Sequence, residues 1–177
     1  MQVVFYGTEP GVGTSANMQL AAFGAAVLKK EKGFVPGNEM QFFDCSKADS
    51  REREKKIRAC DLFAVNISLA PSGLENFFLY QSFVQKNIIF LIGKYYHSQE
   101  MELQKLARDY RISTGRICPI PYNQRFKAAY ESGQILPYLK WQQRENTLEN
   151  IEFLKGLKKM VWAMEKYADR KGELYYG

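Results

Sequence analysis

The first eighteen residues constrain this chain more than any other stretch. Gln2 to Tyr6 is a short β-rich run without a turn residue and reads as a buried strand. Gly7 to Gly13 then packs three glycines and a proline into seven residues, a density that helix and strand interiors do not tolerate well. From Ser15 onward the spacing turns helical, with Met18, Ala21, Ala22, Ala25 and Leu28 on one face. A strand, a glycine-rich loop and a helix start in this order make an anion site, because free backbone N–H groups and the helix dipole converge on the loop.

Three loop types compete for these residues. A Walker A loop reads G-x-x-x-x-G-K-[ST]. With Gly13 as its last glycine, Thr8 falls on the first glycine, Thr14 on the lysine and Ser15 on the magnesium-binding hydroxyl. The length and the neighbours fit, but the cation is gone, and a threonine hydroxyl does not replace it electrostatically. Gly11-Val-Gly-Thr-Ser-Ala16 matches the dinucleotide pattern G-x-G-x-x-A, yet Gly7 to Pro10 intervene where the glycine should follow the strand at once. Tyr6-Gly-Thr-Glu-Pro-Gly11 resembles the opening of a flavodoxin phosphate loop, with two extra residues before Thr14. A plain turn joining strand to helix is the bland alternative to all three.

Composition narrows the class. The chain of 177 residues suits one domain, and 46% hydrophobic with 25% charged residues is ordinary for a globular protein. No apolar run approaches the roughly 20 residues that span a bilayer, and Gly7 and Pro10 interrupt any leader-like start. Cys45, Cys60 and Cys118 are odd in number and widely spaced, which predicts reduced thiols in a cytoplasmic protein. His97 is the only histidine and leaves little room for a histidine-based metal site or triad. A net charge of +6 permits contact with nucleic acid or an anionic membrane, although a solvated basic surface is the simpler expectation.

Along the rest of the chain, helical spacing continues to Lys30 and stops at Lys29-Lys-Glu-Lys-Gly33, and Phe34 to Asn38 is a turn. Glu39 to Asp44 is a strand ending in an acid; Ser50 to Cys60 is a charged helix. Asp61 to Ser68 is a third strand, followed by a helix carrying Leu74, Phe77, Phe78, Gln81 and Val84. After Lys86-Asn87, Ile88-Ile-Phe-Leu-Ile92 is the apolar run of a strand covered on both faces. Ser98 is expected to cap the next helix, with Leu103, Leu106 and Ala107 turned inward. Arg116 to Ile120 bears a proline and suits a sheet edge. After Pro121-Tyr-Asn123 a helix runs through about Ser132 with Gly133 as its cap, and residues 142–148 form a polar linker to a packed C-terminal helix over 149–170. That helix is expected to bury Ile151, Leu154, Leu157, Val161, Met164 and Ala168, and to show water Lys155, Lys158, Lys159 and Lys166.

Five strand–helix alternations with short loops predict an α/β fold, a three-layer doubly wound parallel sheet in the order 2-1-3-4-5 with helices on both faces. Ligands in such sheets sit at the carboxyl ends of the strands where the order reverses, so the 7–13 loop, Asp44 and the Ser68–Gly73 turn should converge.

Laid out in this order, the chain resembles the MinD/ParA superfamily of deviant P-loop ATPases and, within it, the TadZ/CpaE-like proteins. Glu9-Pro-Gly-Val-Gly-Thr-Ser15 falls where that family has K-G-G-x-G-K-T. Phe42-Phe-Asp-Cys45 and Ala59-Cys-Asp-Leu-Phe-Ala-Val65 are similar to its acid-bearing strand and the strand after it. Ile117-Cys-Pro-Ile-Pro-Tyr-Asn123, with Phe126 to Gly133, is similar to the segment beside the base. The likeness implies a degenerate P-loop: Gly11, Val12, Gly13, Thr14, Ser15 and Ala16 around phosphate, Ser15 and Asp44 as a residual magnesium pair, and Pro121, Tyr122 and Asn123 near the base.

The departures are as informative. The family's two P-loop lysines correspond to Glu9 and Thr14, its strand with the switch acid is missing, and Ile92-Gly-Lys94 lacks the expected asparagine. What the resemblance implies is a non-hydrolysing adaptor or positioning component without catalytic residues. ATP or ADP with Mg2+ would bind weakly or not at all, a protein partner is implied, and a weak homodimer is allowed. Two alternatives stay open. One is an FMN-binding electron-transfer protein with Tyr95 and Tyr96 beside the flavin; the other is an atypical ATPase drawing a cation from Lys47 or Lys94.

Overall fold

The computed structural model describes residues 1–28, 40–80, 87–145 and 147–168. The expected helix stop at Lys29 to Gly33, the turn at 34–38, residues Gln81, Val84 and Lys86, and the chain after Ala168 lie outside them. Five strands form one parallel sheet: β1 (Gln2–Gly7), β2 (Gln41–Asp44), β3 (Leu62–Ile67), β4 (Ile88–Tyr95) and β5 (Ile117–Pro121). Their order is β2-β1-β3-β4-β5, as the alternation of elements predicts. Among the described residues seven α-helices flank it: α1 (Thr14–Leu28), α2 (Ser50–Ala59), α3 (Pro71–Tyr80), α4 (Glu100–Asp109), α5 (Gln124–Glu131), α6 (Ile135–Gln142) and α7 (Leu148–Ala168).

The period-two geometry of the strands divides the core into two layers. Val3 and Phe5, Leu62 and Ala64, Ile89 and Leu91, and Cys118 and Ile120 face α1, α5, α6 and α7. Val4, the alternating set Phe63, Val65 and Ile67, and Ile88, Phe90 and Ile92 face α2, α3 and α4 through Ile57, Leu74, Phe77, Leu106 and Ala107. Each large aliphatic or aromatic side chain so buried stabilises the fold by roughly 1.5–3 kcal/mol. The two layers account for the near-continuous apolar runs of β3 and β4. Cys45, Cys60 and Cys118 are free thiols buried in these layers, and burial pushes the Cys118 thiol up to about 12.

Several local expectations change. Helix α1 buries Leu20, Gly24 and Val27 besides Ala21, Ala25 and Leu28, because α6 and α7 both pack on it, while Met18 and Ala22 are half-buried. Ser98 does not cap α4; it lies inside a 3₁₀ turn, His97–Gln99, closed by Gln99 N–H donating to the Tyr96 carbonyl. Ile151 is exposed on α7, and Phe153, Met160 and Tyr167 are buried in addition to Leu157, Val161 and Met164. The Ala168 side chain is not among those described. Gln142 is no linker residue: it ends α6 fully buried, with its Nε2 donating to Asn150 Oδ1 at 2.6 Å.

Candidate functional site

The parallel crossovers deliver three segments to the carboxyl edge of the sheet. The first is the 7–13 loop. Gly11 and Gly13 have φ of 84° and 82°, left-handed values that side-chain-bearing residues rarely adopt. Gly7 is closely packed: a Cβ there would lie 2.4 Å from Thr14 Oγ1. Thr14, which stands where a Walker lysine would, is therefore folded back against the end of β1 and is only 7% exposed. The loop is tied to β3 by Thr8 N–H donating to the Asn66 carbonyl at 3.1 Å, and α1 starts with Asn17 N–H on the Gly13 carbonyl.

The second loop follows β2. Ser15 Oγ donates to Asp44 Oδ2 at 2.5 Å, and the backbone N–H of Ser46 donates to Asp44 Oδ1 at 2.8 Å. Burial alone would raise the Asp44 carboxyl, but the hydrogen bonds from Ser15 and Ser46, together with Lys47 nearby, hold it below its usual value. It is an ionised acceptor at neutral pH. Ser15 and Asp44 are thus brought together, as the resemblance implies, and both offer the hard oxygen donors that magnesium prefers. Among the described residues no group of three or more His, Cys, Asp or Glu could hold a metal ion. Phosphate oxygens and water would have to complete the coordination.

The third segment is the C-terminal end of β4, from Gly93 to Tyr95. The β4–β5 register is irregular between Ile92 and Tyr95, and Lys94 there has φ of 56°. Gly93 lets the strand end touch the first loop, since a Cβ on it would lie 2.9 Å from the Val12 carbonyl oxygen. Lys94 then reaches across, and its Nζ donates to the Gly11 carbonyl at 3.4 Å.

Between these loops and α5 lies a cavity of about 550 Å³. Gly11, Gly13, Thr14, Ser15 and Ala16 line one end; Pro121, Tyr122 and Asn123 line the other. Val12 contributes its carbonyl to the contact with Gly93, and Asp44 stands behind Ser15. Asn123 caps α5 through Oδ1, which accepts from Phe126 N–H at 2.8 Å and from the Tyr138 hydroxyl at 2.9 Å.

Sequence reading missed a buried amide relay beneath the loop. Asn17 Nδ2 donates to Asn66 Oδ1 at 2.8 Å, and Asn66 Nδ2 donates to the Tyr6 carbonyl at 3.1 Å. An asparagine inside the otherwise apolar run Leu62–Ile67 was the available signal. Also missed as site residues were Ser46 and the α5 residues Phe126, Lys127, Tyr130 and Glu131, which complete the cavity wall. Tyr95 and Tyr96 stand outside that wall. The Tyr95 hydroxyl is bound to Glu100 at 2.6 Å, and Tyr96 packs on Tyr122 with ring centroids 5.5 Å apart. Lys47 is exposed and also outside the wall. Among the described residues, no helix is long and apolar enough to cross a membrane. Compared with known proteins, the chain matches no family model and no curated sequence.

Proposed function

We propose that this chain is a non-hydrolysing relative of the MinD/ParA superfamily ATPases. It binds a nucleoside polyphosphate weakly and serves as an adaptor or positioning component for a protein partner. The observation that carries this reading is the Ser15–Asp44 hydrogen bond beside a buried, neutral Thr14. A hydroxyl and an acid suited to the magnesium side of a phosphate site are paired, while the lysine position supplies no charge.

The cavity supports the same reading. Its volume falls within the range of small-molecule sites. The N–H groups at the start of α1 suit phosphate at one end, and Tyr122 and Phe126 offer apolar surface for a base at the other. Hydrolysis asks for more, because phosphoryl transfer is driven by fixed positive charge on the γ-phosphate oxygens. Glu9 brings a negative charge to that wall instead. Titration with ATP and ADP, with and without Mg2+, tests the reading beside a phosphate-release assay and an FMN titration. Saturable nucleotide binding without turnover is expected. Binding of FMN in place of nucleotide, or robust hydrolysis lost in Ser15→Ala, would replace it.

A further inference from the structure

We infer that Lys94 supplies the positive charge that Thr14 does not: its ammonium group leaves the Gly11 carbonyl and takes a phosphate oxygen of a polyphosphate held by the 7–13 loop. The inference rests on the nucleotide reading above and assigns its charge to a residue from a different strand.

Four observations converge on Lys94. First, among the described residues the cavity wall holds two cations, Lys94 and Lys127, and they differ in their surroundings. Lys127 stands 3.8 Å from Glu131, its neighbour one helical turn away. Among the described residues Lys94 has no carboxylate within 4 Å, and its one hydrogen bond is the long one to the Gly11 carbonyl. A carbonyl at that distance holds an ammonium group far less firmly than a phosphate oxygen would.

Second, the backbone is shaped to bring this side chain over the loop. The irregular register after Ile92 turns the end of β4, and Gly93 permits contact with the Val12 carbonyl. Third, a lysine occupies a left-handed position with φ of 56° where glycine or asparagine would be at ease. The side chain, not the backbone, is the reason to have lysine there.

The fourth observation lies at the opposite wall and is independent of the loop. Asn123 is 2% exposed, and its Nδ2 is buried without a hydrogen-bond partner. Buried donors are rarely left so in a finished structure, and a bound polar group is one of the few ways to satisfy them. A ligand along this wall, with anionic groups at Lys94 and acceptor groups near Asn123, answers both.

The test is calorimetric titration of the full chain with ATP and with inorganic triphosphate, on the unmodified protein and on Lys94→Gln, Lys94→Arg, Lys94→Gly and the double variant Lys94→Gln with Thr14→Lys. The unmodified protein should bind both ligands, ATP more tightly. Lys94→Gln should weaken both by about tenfold or more, as expected for one charge-assisted contact. Lys94→Arg should stay within a few-fold, and the double variant should recover part of the loss. Lys94→Gly should lose binding while its Tm holds or rises, a split that a purely structural role would not produce. Equal affinity of unmodified protein and Lys94→Gln would overturn the inference and leave the nucleotide reading standing. Binding of neither ligand by the unmodified protein would overturn both.

Discussion

Among the described residues, two with side chains adopt left-handed backbone, and they sit in regions with different reasons for it. Arg111 has φ of 51° just past the end of α4. There Ile112 N–H donates to the Ala107 carbonyl and Arg111 N–H to the Arg108 carbonyl, the paired bonds of a Schellman cap. Ile112 and Ala107 are both buried, so the apolar contact that accompanies this cap is present as well. Helix termination accounts for Arg111 completely. Lys94, with φ of 56°, ends no helix; it follows a register break and lies over an anion-type loop. The same backbone strain therefore closes a helix in one region and presents a charge in the other.

The largest effects should come from the residues that fix each region in place. Ile112→Ala empties a buried site under the cap and should cost about 2–4 kcal/mol in urea unfolding, with ATP affinity unchanged. Gly93→Val should cost about 1–3 kcal/mol by overpacking against the Val12 carbonyl, and it should also abolish ATP binding. If both variants lost ATP equally, the two regions would be coupled and the contrast would fail.

Relieving the strain itself should move less. Arg111→Gly and Lys94→Gly should each raise stability by up to about 1 kcal/mol, since glycine adopts φ above zero without a Cβ clash. Only the second should lose ligand. Equal retention of ATP by both would remove the distinction between a cap and a presented side chain.

Acid sensitivity marks the second loop of the site. The depressed Asp44 carboxyl contributes stability that is present above the ordinary carboxylate range, about pH 4, and is lost as pH falls through its folded value. Asp44→Asn should flatten that part of the stability profile between pH 5 and pH 3, read as urea midpoints. An unchanged profile would mean that Ser15 does not hold the ionised acid in solution. Smallest of all, replacing Lys155, Lys158, Lys159 and Lys166 with glutamine should shift stability by no more than about 0.5 kcal/mol per site and leave ATP affinity intact. These lysines are exposed or half-buried on α7, away from the cavity wall. Salt-sensitive retention on heparin that vanished in this variant would give that face a partner.

The sheet order was legible because alternation of strand and helix, with right-handed crossovers, leaves few arrangements. Glycine spacing before Ser15 and the acid at Asp44 were enough to foresee one end of the cavity. Other features depend on tertiary neighbours that no local pattern encodes. Helix α6 carries Pro137 in its first turn, where proline removes no intrahelical bond. Gln142 looked like linker because glutamine is usually solvated; its pairing with Asn150 is visible only once α6 and α7 meet. Ile151 satisfied the helical period of α7 but is exposed, while Leu157, Val161 and Met164 of the same stripe are buried together with Phe153 and Met160. From the sequence, Lys94 could be named as a source of charge only beside Lys47. Its backbone angle and its reach to Gly11 could not be read from residue type.

The most direct test of a site that holds polyphosphate without turning it over is one calorimetric trace, with ATP injected into the unmodified chain in the presence of Mg2+. The account predicts saturable heats of binding that return to a flat baseline after each injection. A sustained heat of hydrolysis after each injection, abolished by Ser15→Ala, would contradict it, and so would injections that produce no binding heat at millimolar ATP.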